Sequence, residues 1–322
     1  LISKKTPKKI KFKRPFKKKE TMSKYVYEDV NFKKDSNDEE EVKLNLICIP
    51  QAGLGSWCFH GERWNSIEGV RVIPIEMKGR NSRSDETALE SLDQVVDELI
   101  EELKSAFFKN NNTPYGIFGF SLGAWIAFEL ARRLEKDDEC MNPSIVICAG
   151  NRPCRLHSEY YDPDIVAPRI AQIGDCTLFW KAFERRYGTN PDLSEQLKEI
   201  ILPNIRSDFR QVESYDYKKT MDKYDLNERV SSPMLCIGAK NDKRYHACDF
   251  ERWDELCSNV SSFKKTWVRG VNPSNYTEED CAGSGLKPEY WGTPHRLIVD
   301  YPDELIEELK VSLHEVIKQF SK

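Results

Sequence analysis

Gly119-Phe120-Ser121-Leu122-Gly123 places one serine between two glycines, a spacing that suits a nucleophile presented on a tight turn. The bare G-x-S-x-G pattern arises by chance in about one chain of this length in ten, so its flanks decide its meaning. Here "YGIFGF" (Tyr115 to Phe120) reads as a strand, and a good helical pattern runs from about Leu122 to Leu134 without a break. A strand-turn-helix of this kind lifts the hydroxyl to the carboxyl edge of a sheet. Its glycines are needed because side chains beside so tight a turn would clash with the serine's strained backbone.

A serine hydroxyl is a poor nucleophile at neutral pH. It needs a histidine to take its proton, and the histidine needs a carboxylate to fix its tautomer and stabilise the imidazolium. In this kind of fold the chain order is serine, acid, histidine. Of the five histidines, His60 precedes the serine, His157 opens a long insertion, His314 lies in the last helical pattern, and His246 follows the best acid candidate by four residues. His295, in "WGTPHRLI", stands where the base is expected, and Asp242, in "GAKNDKRY", where the acid is expected. The plainer alternatives are a turn aspartate and a surface-loop histidine. The other usual acid position, after the preceding strand, holds Asn151 and Arg152 and no carboxylate. A tetrahedral oxyanion needs two preorganised amides. Leu122, after the nucleophile, supplies one. Ala52 in the small-residue loop "PQAGLGS" is the candidate for the other, with Gln51 as its neighbour; the loop is a strand-to-helix turn in any case.

These residues require a scaffold, and the chain provides an alternating one. Apolar runs at Leu44 to Pro50, Val70 to Met77, Tyr115 to Phe120, Ser144 to Gly150, Met234 to Lys240 and Phe263 to Gly270 predict strands. Leu92 to Phe108 has helical spacing, and the C-terminal "PDELIEELKVSLHEVIKQFSK" predicts an amphipathic closing helix. Such alternation implies an α/β fold, a mostly parallel sheet with helices on both faces. Residues 152 to about 230 break the rhythm with mostly helical patterns, which predicts a helical lid packed around Phe179, Trp180, Phe183 and Tyr187. The domain is expected over residues 42–322, after a tail over 1–41.

Composition limits the alternatives. No stretch approaches the roughly 18 to 20 apolar residues of a spanning helix, so no transmembrane segment is expected. The ten cysteines form no C-x-x-C pair, and Cys48, Cys148 and Cys236 fall in strand-like runs. They read as small buried hydrophobes of a reducing compartment, cytoplasmic or an organelle matrix. Residues 1–20 hold ten Lys or Arg against one Glu, within a net charge of −4 for the whole chain. That arm is expected to be a disordered, solvated tail. Its alternatives are a nucleic-acid or anionic-surface arm, a targeting remnant, or translated sequence upstream of Met22.

Several segments in order resemble the type II thioesterases, the stand-alone α/β-hydrolases that serve nonribosomal peptide, polyketide and medium-chain fatty acid synthases. "ICIPQAGLGSWCF" is similar to the family's Pro-His-Ala-Gly-Gly opening, and "EMKGRNSR" to its Leu-Pro-Gly-Arg-Gly segment. "YGIFGFSLGAWIAFELARRL" resembles its elbow and helix, "ILPNIRSDFRQVESYDY" its Arg-Ala-Asp-Phe lid helix, and "SSPMLCIGAKNDKRY…FERW" its Asp-Asp…Trp region. Gln51 and Phe120 stand where the family has histidines, Lys78 where it has proline, and "VNPSNYTEEDCAGSGLKPEYWGTPHRLIVD" intervenes before His295. The resemblance implies hydrolysis of acyl thioesters from the phosphopantetheine arm of an acyl or peptidyl carrier protein. Ser121, Asp242 and His295 would form the triad, with no cofactor and no metal. Alternatives are a carboxylesterase or lipase using the same residues, and a non-catalytic binding protein. A monomer without a nucleic-acid partner is expected. An acidic carrier would need a basic patch, for which Arg132, Arg133, Arg152, Arg155, Arg185 and Arg186 are the candidates.

Overall fold

In the computed structural model, residues 42–108, 113–157, 169–190, 193–239, 242–268 and 295–320 are described. The apolar runs become six strands: β1 (Leu44–Ile49), β2 (Val70–Pro74), β3 (Tyr115–Phe120), β4 (Ile145–Ala149), β5 (Met234–Ala239) and β6 (Phe263–Val268). They form one sheet in the order β2-β1-β3-β4-β5-β6, every pair parallel. β1, β3, β4 and β5 are buried at every position, as strands covered on both faces must be. β2 is shorter than predicted and ends at Pro74, a residue without an N–H that an edge strand tolerates. β6 ends at Val268; Arg269 and Gly270 lie outside the described residues.

The helices are α1 (Glu62–Asn65), α2 (Leu92–Glu102), α3 (Leu122–Lys136), α4 (Cys176–Tyr187), α5 (Glu195–Ser214), α6 (Tyr217–Tyr224), α7 (Ala247–Glu251), α8 (Leu297–Asp300) and α9 (Pro302–Phe320). Alternate side chains of each strand enter opposite cores. Ile47, Ile49 and Ile117 pack with α2 and α3, whereas Leu44, Leu46 and Phe118 pack with Trp64 of α1 and Leu305, Leu309 and Leu313 of α9. The predicted helix over Leu92 to Phe108 is α-helical to Glu102 and continues as a wider turn through Phe107. Among the described residues no helix is long and apolar enough to cross a membrane.

Between β4 and β5 the chain inserts α4, α5 and α6. Phe179, Trp180, Ile205 and Phe209 form a separate apolar cluster there, with Phe183 and Tyr187 packed against it, which is the packing role expected of the aromatics. Four of the six arginines offered for a docking patch are not surface charge. Arg132, Arg133, Arg152 and Arg186 are all buried. Arg132 pairs with Glu129, Arg133 with Asp93 and Asp97, and Arg155 with Glu255 and Glu228. Sequence alone does not distinguish a solvated arginine from one matched to a buried carboxylate.

β1 lies between β2 and β3, so connections leaving β1 and β3 depart to opposite sides of the sheet. The crevice that opens between their carboxyl ends is where such sheets hold ligands.

Candidate active site

Ser121 stands in that crevice, on the turn from β3 into α3. Its backbone has φ 56° and ψ −114°, a conformation unusual for a residue with a side chain and costing about 1–3 kcal/mol. The surroundings hold it there. Its N–H donates to the Ala149 carbonyl (2.9 Å), and its carbonyl accepts from Ala124 N–H (3.1 Å) and Asn151 Nδ2 (3.1 Å). The glycines are steric necessities: a Cβ on Gly119 would sit 1.9 Å from the Gly123 carbonyl oxygen, and one on Gly123 would sit 2.3 Å from that of Ile49. Helix α3 therefore begins directly against the end of β1. Leu122 opens this helix, in the first turn, where amides lack intrahelical acceptors.

The Ser121 hydroxyl lies 2.7 Å from His295 Nε2, and His295 Nδ1 lies 2.9 Å from both carboxylate oxygens of Asp242. All three residues are buried. A carboxylate only accepts, so Nδ1 carries the proton and Nε2 is left to accept from the serine. Asp242 follows β5, and its Oδ1 also accepts from Arg244 N–H (2.8 Å). His295 precedes α8. The structure thus brings together Ser121, Asp242 and His295 from the ends of β3 and β5 and from the segment before the closing helices. Residues 269–294, which hold most of the long segment before His295, lie outside the described residues.

Tyr187, Phe120 and Asn151 are also at this site, in roles that the sequence did not indicate. The His295 main-chain N–H donates to the Tyr187 carbonyl (2.8 Å), so the last residue of α4 fixes the main chain that carries the imidazole. Phe120 stacks on the ring at 5.7 Å, filling the place where a histidine was expected from the resemblance, and Tyr187 meets it edge-on. Asn151, noted only as a non-acid, bonds the serine's carbonyl.

Ser121, Leu122, Ala52 and His295 line a small cleft of about 80 Å³. Trp125, Ile170, Phe209 and Val212 supply apolar wall, and Arg152, Arg186, Glu213 and Arg244 supply charge. Burial pushes the Glu213 carboxyl above its usual range, against the pull of the Ala171 and Ile170 amides and of Arg186 and Arg169. The described cysteines are free, and burial pushes the Cys48, Cys148 and Cys236 thiols well up, which leaves them inert.

The chain is 29% identical over 230 residues to the gramicidin S biosynthesis protein GrsT of Aneurinibacillus migulanus, covering 69% of this chain and 79% of that one. It is 24% identical to the thioesterase PikA5 of Streptomyces venezuelae, over 68% of this chain and 80% of the other. In three dimensions it resembles the RedJ thioesterase of the prodiginine pathway in Streptomyces coelicolor, with a TM-score of 0.64 at 20% identity over 84% of this chain and 85% of that one. The fold is thus that of the α/β-hydrolases. A family model described as a thioesterase domain matches residues 44–268, well over half of the chain, and the protein therefore belongs to the thioesterase family and is an enzyme of that class.

Proposed function

We propose that the enzyme hydrolyses acyl thioesters borne on the phosphopantetheine arm of a carrier protein, through a covalent acyl-Ser121 intermediate. The observation that carries this reading is the hydrogen-bonded line Ser121–His295–Asp242 at the floor of a cleft between the strand ends and the inserted helices. Ser121 Oγ attacks the thioester carbonyl carbon while His295 Nε2 takes its proton. The imidazolium is held by Asp242, and the carbonyl oxygen, now an anion, is received by the Leu122 and Ala52 amides. Collapse breaks the C–S bond, and His295 returns the proton to the departing thiolate. A water molecule then attacks the acyl carbon as its proton passes to His295. The ester bond to Ser121 breaks, the proton returns to Oγ, and the free acid leaves.

In the cell this chemistry would remove misprimed acyl units or release finished ones in fatty acid, polyketide or nonribosomal peptide assembly. The test is thiol release from an acyl-pantetheine thioester by wild type and Ser121→Ala, with the matched oxygen ester alongside. We expect a loss in kcat of at least about 10⁴-fold in the variant and a preference for the thioester. Equal or faster ester turnover would replace this reading with an esterase. Turnover indifferent to Ser121 would remove the acyl-enzyme.

A further inference from the structure

We infer that Asp208 and Arg80 form a clamp through which the inserted helix α5 sets the oxyanion-binding turn. Gln51, Ala52, Gly53 and Leu54 make a turn closed by Leu54 N–H donating to the Gln51 carbonyl (3.1 Å), with Gly53 at φ +79°. Asp208, on α5, is almost wholly buried and is the turn's side-chain anchor. Its Oδ2 accepts from Gly53 N–H (2.7 Å), and its Oδ1 accepts from Arg80 Nη2 (2.6 Å). Arg80, also buried, closes the circuit by donating Nη1 to the Leu54 carbonyl (2.6 Å).

The helix is pressed against this turn. A Cβ on Gly53 would lie 2.9 Å from Ile205 Cδ1, and Ile205 stands one helical turn before Asp208, on the same side of α5. One carboxylate therefore holds the N–H of the peptide that follows Ala52, and the guanidinium paired with it holds the Leu54 carbonyl at the far end of the same turn. With the Leu54 amide given to Gln51 and the Gly53 amide given to Asp208, the turn offers the Ala52 amide to the cleft that it shares with Ser121. Asp208 and Arg80 touch no reacting atom. They are positioning residues, and a buried ion pair this well matched is costly to break from one side. The inference rests on the reading of Ala52 as an oxyanion donor. It makes the inserted helix part of the catalytic frame, beyond its place as wall of the cleft.

Three variants test it: Asp208→Ala, which removes both bonds; Asp208→Asn, which keeps an acceptor for Gly53 N–H but not the charge for Arg80; and Arg80→Gln. Thioester hydrolysis, phosphonylation of Ser121 by an alkyl fluorophosphonate, inhibition by an acyl trifluoromethyl ketone, and thermal melting are measured for each. We expect kcat to fall about 10- to 100-fold in Asp208→Ala with KM changed less than about twofold, since losing one oxyanion donor costs at most about 10²–10³-fold. Phosphonylation should slow and the trifluoromethyl ketone Ki should rise in proportion, because both species place an oxygen where the oxyanion forms. Asp208→Asn should retain more activity than Asp208→Ala at comparable melting temperature.

Unchanged kcat, phosphonylation and ketone affinity in folded variants would overturn the clamp, as would a loss of rate that follows the melting temperature alone. If Asp208→Ala does not fold, the comparison of Asp208→Asn and Arg80→Gln with wild type decides in the same way. A wild type that is phosphonylated at Ser121 but does not turn over thioesters would refute the proposed substrate while the labelling rates still judge the clamp. A wild type that does neither would overturn both.

Discussion

The turns after β3 and β1 lie side by side at the same edge of the sheet, yet they are held by different physics. The turn carrying Ser121 is fixed by backbone: two glycines with no room for a methyl group, a neighbouring strand carbonyl, and the start of α3. The turn carrying Ala52 is fixed by side chains, above all by a carboxylate 155 residues away in the sequence. The first is made by five residues packed against the ends of the neighbouring strands, with Asn151 adding a side-chain bond. The second closes on its own backbone bond but takes its anchor from the inserted helix. An edge built from both has one half set by backbone contacts and one half anchored by a distant helix.

The sharpest way to break this contrast is Gly123→Ala. The added Cβ would meet the Ile49 carbonyl oxygen at 2.3 Å and the Pro50 oxygen at 2.8 Å, backbone atoms of a buried strand end that cannot step aside. We expect a loss of more than about 4 kcal/mol, seen as failure to recover folded protein or collapse of the denaturation midpoint. A variant that melted close to wild type would show that the elbow is less rigid than the strand register implies.

Gly53→Ala probes the other turn and should cost less. Its φ of +79° disfavours a side chain by about 1–2 kcal/mol, but the obstructing atoms belong to the Ile205 side chain and not to backbone. The expected result is a folded enzyme, destabilised by about that amount in urea, whose kcat falls further than its stability predicts. If stability and kcat fell together to the Gly123→Ala level, the two turns would not differ in kind.

This difference also explains what could be read from the chain. The α/β alternation was legible because strands covered on both faces are apolar throughout, as β1, β3, β4 and β5 are. Ser121 was legible as a candidate because its turn writes itself in glycine, and His295 and Asp242 because chain order leaves few choices; the structure brings the three within hydrogen-bond reach. Asp208 and Arg80 were not legible as partners, since nothing local marks a charged residue as buried or paired. The same limit made Arg132 and Arg133 look like surface charge when both are buried, one matched to the buried Glu129 and the other to the part-exposed Asp93 and Asp97.

The smallest expected effect lies at the far end of the β1 turn. Glu76 is buried there, its Oε2 accepting from Ser56 Oγ (2.8 Å) and Asn81 Nδ2 (3.0 Å). Burial raises its carboxyl above the ordinary glutamate value, although Ser56, Asn81 and the Arg80 charge pull it back. A raised folded value means that the native state binds this proton more tightly than the unfolded chain does. Glu76 therefore lends stability at low pH that is lost as pH climbs from the ordinary carboxylate value through the raised one. Glu76→Gln keeps an oxygen acceptor and cannot titrate. Its melting temperature, relative to wild type, should rise across that window by a few degrees at most and then level off. A constant offset from pH 4 to 8 would mean that Glu76 titrates normally. The hydrogen bonds from Ser56 and Asn81 and the Arg80 charge would then offset the cost of its burial in full.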